Sequence, residues 1–190
     1  MWEKTMQISS AEAIPEGLPG IWWVAHTKPR NEKALALGLR SMGIPTYLPL
    51  YRRESRSRAT GRVFRSIVPV FSGYLFFNGS EDQRYLALST NRIAQTLAVP
   101  DQAGLVGHLR QIQQVLAAGT PFRIRKALEV GEWARVVFGP LEGVEGVIAQ
   151  RRSRLRLVLN VHTLGQSVSV EVSEDVLERI DGPSFAAANP

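Results

Sequence analysis

From Leu155 onward the chain alternates with a period of two. Leu155, Leu157, Leu159 and Val161 occupy every second position, and Val168, Val170 and Val172 alternate with Ser167, Ser169 and Glu171. Wound as a helix, these residues would scatter around the cylinder; only an extended strand gathers them on one face. The valines also lose χ1 freedom in a helix, and Gly165 between the two runs would cost a helix about 1 kcal/mol relative to alanine. The pattern therefore predicts two paired strands. With strands expected at Trp133–Phe138 and Val144–Gln150, residues 127–182 read as a small antiparallel β-barrel, whose closure removes exposed sheet edges. That β state, rather than a helical hairpin, is the one expected of the free protein.

Ahead of it the texture is mixed. Residues 1–20, ending Pro15-Glu16-Gly17-Leu18-Pro19-Gly20, read as a mobile tail. Ile21–His26 reads as an aromatic strand, and Thr27 and Pro29 open a helix whose Leu35, Leu39 and Met42 repeat at i, i+4, i+7 before Gly43. Pro45 and Pro49 keep Ile44–Tyr51 extended. Arg52–Arg65 is expected as an exposed loop, and Ile67–Asn78 as a strand with Gly73 at its centre. A helix fits Glu81–Leu88 and a strand Ile93–Val99. A third helix is capped by Asp101, with Leu105, Leu109, Ile112 and Leu116 on one face. The expected fold class is α+β: a sandwich of helices on an antiparallel sheet over 21–118, a linker over 119–126, the barrel, and a tail over 183–190.

Charge follows the same division. Up to Lys126 there are 17 Lys/Arg against 8 Asp/Glu, a balance of +9; from Ala127 onward there are 6 against 9, a balance of −3. A basic front and an acidic back imply modules with different partners. The absence of cysteine excludes disulfides, thiolate metal sites and a cysteine nucleophile. His26, His108 and His162 have no metal-ligand spacing. Ser72 has no adjacent acid–base pair, and the glycine-rich run Gly139–Gly146 lacks the Gly-Lys-Ser/Thr ending and carries two carboxylates that would repel phosphate. No catalytic constellation emerges, so the chain is read as a non-enzyme without metal or cofactor. Residues 1–20 lack the apolar stretch of a signal peptide and no run has the length of a membrane helix, so a cytoplasmic address without membrane contact is expected.

Two groups stand out as binding residues. Arg52, Arg53, Arg56, Arg58, Arg62 and Arg65 are opposed only by Glu54. Arginine forks grip phosphate oxygens without regard to base, so this cluster points to nucleic acid. Trp22, Trp23, Phe71, Tyr74, Phe76 and Phe77 fall on two expected strands. Adjacent strand residues point to opposite faces, so part of this group lies away from the main core, where it is expected to line an apolar depression that receives a partner helix.

Trp22-Trp23-Val24-Ala25-His26-Thr27-Lys28-Pro29-Arg30-Asn31-Glu32, then Tyr47-Leu48-Pro49-Leu50, then Val68-Pro69-Val70-Phe71-Ser72-Gly73-Tyr74-Leu75-Phe76-Phe77 resemble the N-terminal (NGN) domain of the NusG family. Leu128-Glu129-Val130-Gly131-Glu132-Trp133-Ala134-Arg135-Val136, Gly139–Gly143 and Gly146-Val147-Ile148 are similar to its SH3-like KOW domain. Lys28-Pro29-Arg30 and Tyr47–Leu50 look most like the specialised RfaH-type antitermination paralogues. Serine stands at position 72 where the family often has proline, and Leu164 where the housekeeping member has an aromatic. The resemblance implies a monomeric transcription elongation and antitermination factor. Trp22, Trp23, Phe71 and Tyr74 would dock on the clamp helices of RNA polymerase, and the arginines would contact DNA and nascent RNA. Thr163, Leu164 and Gln166 at the KOW hairpin tip would meet a small-subunit ribosomal protein or Rho. A basic RNA- or ribosome-associated protein working through its barrel is the competing reading; the acidic balance of the barrel region argues against it.

Overall fold

The computed structural model describes residues 14–15, 17–126, 131–151 and 154–186. Most of the expected N-terminal tail, residues 127–130 at the expected barrel boundary, and the last four residues lie outside these. Two compact units divide the chain at Ala98/Val99.

In the first unit, β1 (Ile21–Thr27), α1 (Glu32–Ser41), β2 (Thr46–Tyr47), β3 (Leu50–Arg56), β4 (Val63–Pro69), β5 (Tyr74–Gly79), α2 (Glu81–Ser89) and β6 (Ile93–Leu97) follow in order. Four strands form an antiparallel sheet in the order β2-β5-β1-β6, with Trp23 opposite Phe77 and Val24 opposite Phe76. The expected antiparallel sheet with flanking helices is present. One face packs Trp23, Ala25, Leu75 and Phe77 with Leu35, Ala36 and Leu39 of α1 and Ala87 of α2. Helix α1 starts at Glu32, later than the Thr27–Pro29 opening expected, because Arg30 adopts a left-handed φ of 60° that breaks the helical path. Helix α2 carries a capping box: Ser80 accepts from the Gln83 amide and Gln83 accepts from the Ser80 amide.

Two expectations for this unit need correction. Arg52–Arg65 is no loop: β3 and β4 pair as a separate two-stranded hairpin from Leu50↔Pro69 to Arg56↔Val63. Polar composition hid it, because a ladder exposed on both faces needs no apolar alternation. Nor is Ile67–Asn78 one strand. It breaks after Pro69, and Gly73 turns the chain at φ +84°, a conformation open to glycine.

The second unit begins with α3 (Gln102–Ala117), whose cap Asp101 accepts the Gly104 amide at 2.8 Å as expected. It continues through β7 (Phe122–Lys126), β8 (Trp133–Val136), β9 (Glu145–Arg151), β10 (Arg154–Val161), β11 (Gln166–Val172) and β12 (Leu177–Ile180). These six strands make one antiparallel sheet in the order β12-β8-β9-β10-β11-β7. The period-two segment is β as read: β10 and β11 pair from Leu155↔Val172 to Val161↔Gln166. The expected linker differs, since Phe122–Lys126 is a strand on β11. Helix α3, expected against the first sheet, packs on β10. Val158, Asn160, Ser167 and Ser169 on the second face of β10 and β11 are buried along with Leu157, Leu159, Val168 and Val170. The period-two pattern marked one face of this strand pair as apolar; the fold covers both. Among the described residues, no pairing between β12 and β7 completes the ladder into the closed barrel expected.

The expected tail after residue 182 is also docked in part. Ser184 donates its amide to Glu145 Oε2 at 2.7 Å, and the Phe185 ring lies 4.8 Å from that of His108, edge to face. Gly107 permits this approach, because a Cβ there would sit 2.6 Å from the Phe185 ring. Buried Glu145 also accepts from Arg135 Nε at 2.7 Å. Burial works to raise its pKa, but the Ser184 amide and the Arg135 guanidinium more than offset this and hold it below the usual value.

Candidate functional site

The sheet of the first unit separates the two tryptophans as strand geometry requires. Trp23, 8% exposed, joins the helix-side core and donates Nε1–H to Gly79 O at 3.2 Å. Trp22, 6% exposed, lies on the other face with Val24, Phe76 and Tyr47. Phe71, only 1% exposed, meets the edge of Phe76 at a centroid distance of 6.2 Å. The depression expected of these side chains is therefore occupied by them. Tyr74 alone of the four expected docking residues is half-exposed, and its ring stacks on exposed His26 at 5.1 Å. Spacing in the sequence excludes His26 only as a metal ligand; its place in the stack comes from the β1–β5 register, which sets it opposite Tyr74.

A buried carboxylate holds this aromatic pair in place. Glu32, at the first position of α1, accepts the Gly73 amide at 2.7 Å, while Thr27 donates its amide to Gly73 O at 2.8 Å. The Phe71–Tyr74 turn is thus pinned to β1 and to α1. Removing the carboxylate would strand a partly buried N–H, a loss of about 1–3 kcal/mol.

The hairpin places four of the six arginines, Arg52, Arg53, Arg56 and Arg65, on an exposed ladder. Strand register puts Arg52, Glu54 and Arg56 on one face, across from Ile67, Arg65 and Val63. Tyr51, Arg53 and Ser55 occupy the other, across from Val68, Ser66 and Phe64. Arg58 and Arg62 flank the turn, which closes through Ser57 N–H to Arg62 O at 2.9 Å. Arg65 spends part of its charge on Glu54, 2.7 Å away. Between Leu50 and Pro69 the balance is six arginines against one glutamate, or +5. All six are exposed, so the structure brings together the whole cluster singled out from sequence. Side chains this accessible are available to phosphates and gain little from their own ion pairs.

A second basic group escaped the sequence reading. Lys28 and Arg92 are exposed, 64 positions apart, and adjacent in space: the Lys28 amide donates to Arg92 O at 2.8 Å. Lys28 Nζ donates to Asn91 Oδ1 at 2.6 Å and Arg92 Nη1 to Asn31 Oδ1 at 2.8 Å. Arg30 adds an exposed charge just before α1, whereas the Lys33 ammonium donates to Ile67 O of β4 at 2.5 Å. Arg30 and Asn91 both hold left-handed backbone, φ 60° and 57°. No local pattern announces such a patch, because it forms only when β1 and β6 pair.

In the second unit, Thr163 and Leu164 lie half-buried in the 3-10 turn His162–Leu164, and Gly165 at φ 60° leads into Gln166 on β11. The expected partner-binding tip is therefore a β10–β11 turn. His162 lies 5.7 Å from His108, whose pKa is lowered to about 4 by burial first and by His162 second; Asp101 and the Gly104 backbone oppose the shift. Among the described residues no group of His, Asp and Glu is arranged to hold a metal ion, and no helix is long and apolar enough to cross a membrane.

Comparison with known proteins gives one family model, described as the transcription termination factor nusG, matching residues 20–127. No curated protein matches the chain. A solved chain of the MjSpt4:Spt5 complex, conformation B, is 12% identical and covers 86% of this chain and 99% of its own. Its TM-score is 0.28, too low to define a common fold.

Proposed function

Since this chain belongs to the NusG family of transcription factors, we propose that it is an elongation and antitermination factor of the RfaH-like kind, acting in the cytoplasm by binding rather than by catalysis. The match over residues 20–127 carries this reading. The first unit docks on the clamp helices of RNA polymerase through the Tyr74–His26 stack, with Phe71, Trp22 and Trp23 as the packed support beneath it. Buried aromatics behind an accessible one make a rigid docking anchor, in which little side-chain entropy is lost on binding. The arginine hairpin and the Lys28–Arg92 group hold DNA or nascent RNA by their phosphates.

The mechanism is a shift of populations. A factor that binds the elongating conformation of polymerase better than the paused one favours elongation by that difference, tenfold for about 1.4 kcal/mol. The second unit is proposed to serve as a KOW-type module: Thr163, Leu164 and Gln166 recruit a ribosomal protein or Rho and raise its concentration near the polymerase. The test is capture of core RNA polymerase by the full-length protein. Wild type is expected to bind and Tyr74→Ala to bind at least tenfold more weakly; a wild-type protein that does not bind polymerase refutes the proposal.

A further inference from the structure

The hairpin carries a feature that phosphate binding does not explain. Phe64 is 56% exposed, and Val63 and Ile67 on the same strand are 48% and 41% exposed. Strand β4 thus sets a bare aromatic ring in the middle of an arginine ladder, on a two-stranded sheet separate from the main one. Leaving a phenyl ring in water forfeits about 25 cal/mol for each Å² it could bury. Val63 and Ile67 face the opposite side of the hairpin from Phe64, so the three do not merge into one apolar patch.

Resting on the proposed nucleic-acid role of the hairpin, we infer that it binds unpaired nucleic acid, with Phe64 as a stacking platform for a nucleobase. Register places Phe64 directly across from Ser55, a small side chain that leaves its ring face open. Arg53 is the diagonal neighbour on the same face, opposite Ser66, and lies within reach of a phosphate beside a base stacked on Phe64. Tyr51 is half-buried further along that face, two positions beyond Arg53. An aromatic flanked by arginines on an exposed strand is how a base face and its phosphodiester are held together without base-edge readout. A duplex offers phosphates to the arginines but keeps its base faces stacked internally, so Phe64 gives it nothing. A protein partner would have to seat the ring among five net positive charges, which favours a polyanion as occupant.

The test uses the full-length protein and fluorescence anisotropy at one fixed salt concentration. The probes are a 12-nucleotide mixed-sequence single-stranded DNA, the RNA of the same sequence, and the corresponding DNA duplex. Wild type is expected to bind at least one of the two single strands about tenfold or more tighter than the duplex, the value of one stacked base. Phe64→Ala removes that preference and leaves duplex affinity and the salt slope unchanged. Phe64→Trp keeps the preference, and its added indole is quenched by the single strand that binds. The DNA and RNA arms tell which strand the site takes. Equal affinity for duplex and single strands, or a preference that survives Phe64→Ala, overturns the inference. So does a Phe64→Ala variant that loses polymerase capture with its single-strand affinity unchanged, since the ring would then belong to a protein interface. Failure of the wild type to capture polymerase refutes the functional proposal but leaves the single-strand measurement standing.

Discussion

Replacing Phe71 with alanine removes a ring that is 1% exposed and meets Phe76 edge to face at 6.2 Å. The loss has two parts. Deleting a buried phenyl group forfeits its transfer energy and leaves a cavity, together about 3–5 kcal/mol. The edge-to-face pair itself accounts for about 0.5–1.5 kcal/mol of specific attraction within that sum. Against a domain stability of about 5–15 kcal/mol, the variant stays folded at 25 °C but with little reserve. With a urea m-value near 2 kcal/mol/M, the midpoint should fall by about 2 M. Trp22 and Trp23 report on the first unit but Trp133 on the second, so the assay is urea unfolding followed by hydrogen exchange of the β5 amides, which isolates the first sheet. Weakened polymerase binding by Phe71→Ala then reflects a loosened sheet rather than a missing touch on polymerase. Tyr74→Ala, on a half-exposed ring, separates the two: stability changes by less than about 1 kcal/mol while docking weakens. A folded Phe71→Ala protein destabilised by less than about 1 kcal/mol, with its m-value unchanged, would refute the placement of this ring in the core.

Three further outcomes are expected. Changing Arg56, Arg58 and Arg62 together to serine should flatten the log–log salt dependence of DNA or RNA binding by about 0.7–0.9 for each phosphate no longer neutralised; an unchanged slope would show these arginines to be merely solvated. His108, with its pKa lowered to about 4 in the folded state against an ordinary 6.5, binds fewer protons there than when unfolded. Stability of the second unit should therefore rise with pH between about 4 and 6.5, by at most about 3 kcal/mol. His108→Leu should abolish that slope in denaturation curves at pH 4.5 and 7, leaving the loss from Glu145 at pH values below the ordinary carboxylate range. Gly146→Ala would set a Cβ 2.6 Å from the Val158 carbonyl oxygen, backbone that cannot move alone. It should cost the second unit about 1–3 kcal/mol in urea unfolding; a neutral result would mean that β9 and β10 are not so closely apposed.

Features whose physics is local were legible in the amino-acid sequence. Period-two placement of Leu157, Leu159, Val168 and Val170 made β10 and β11 strands, Asp101 capped α3, and the adjacent tryptophans had to part across a strand. The arginine cluster was legible as a binding group because charge is counted, not folded. Tertiary structure decided which surfaces survive. Phe71 and Tyr74 lie three residues apart and read alike, yet one is sealed against Phe76 and the other stacks on His26 in solvent, because the Gly73 turn rotates the chain between them. Ser167 and Ser169 alternate with the valines of β11 and yet are buried with them, because the fold covers both faces of the strand pair. Lys28 and Arg92 become neighbours only through strand pairing across 64 positions. Local preference acts within a few residues of the chain, whereas exposure is set by whatever distant segment covers a face, and one sequence does not display that covering.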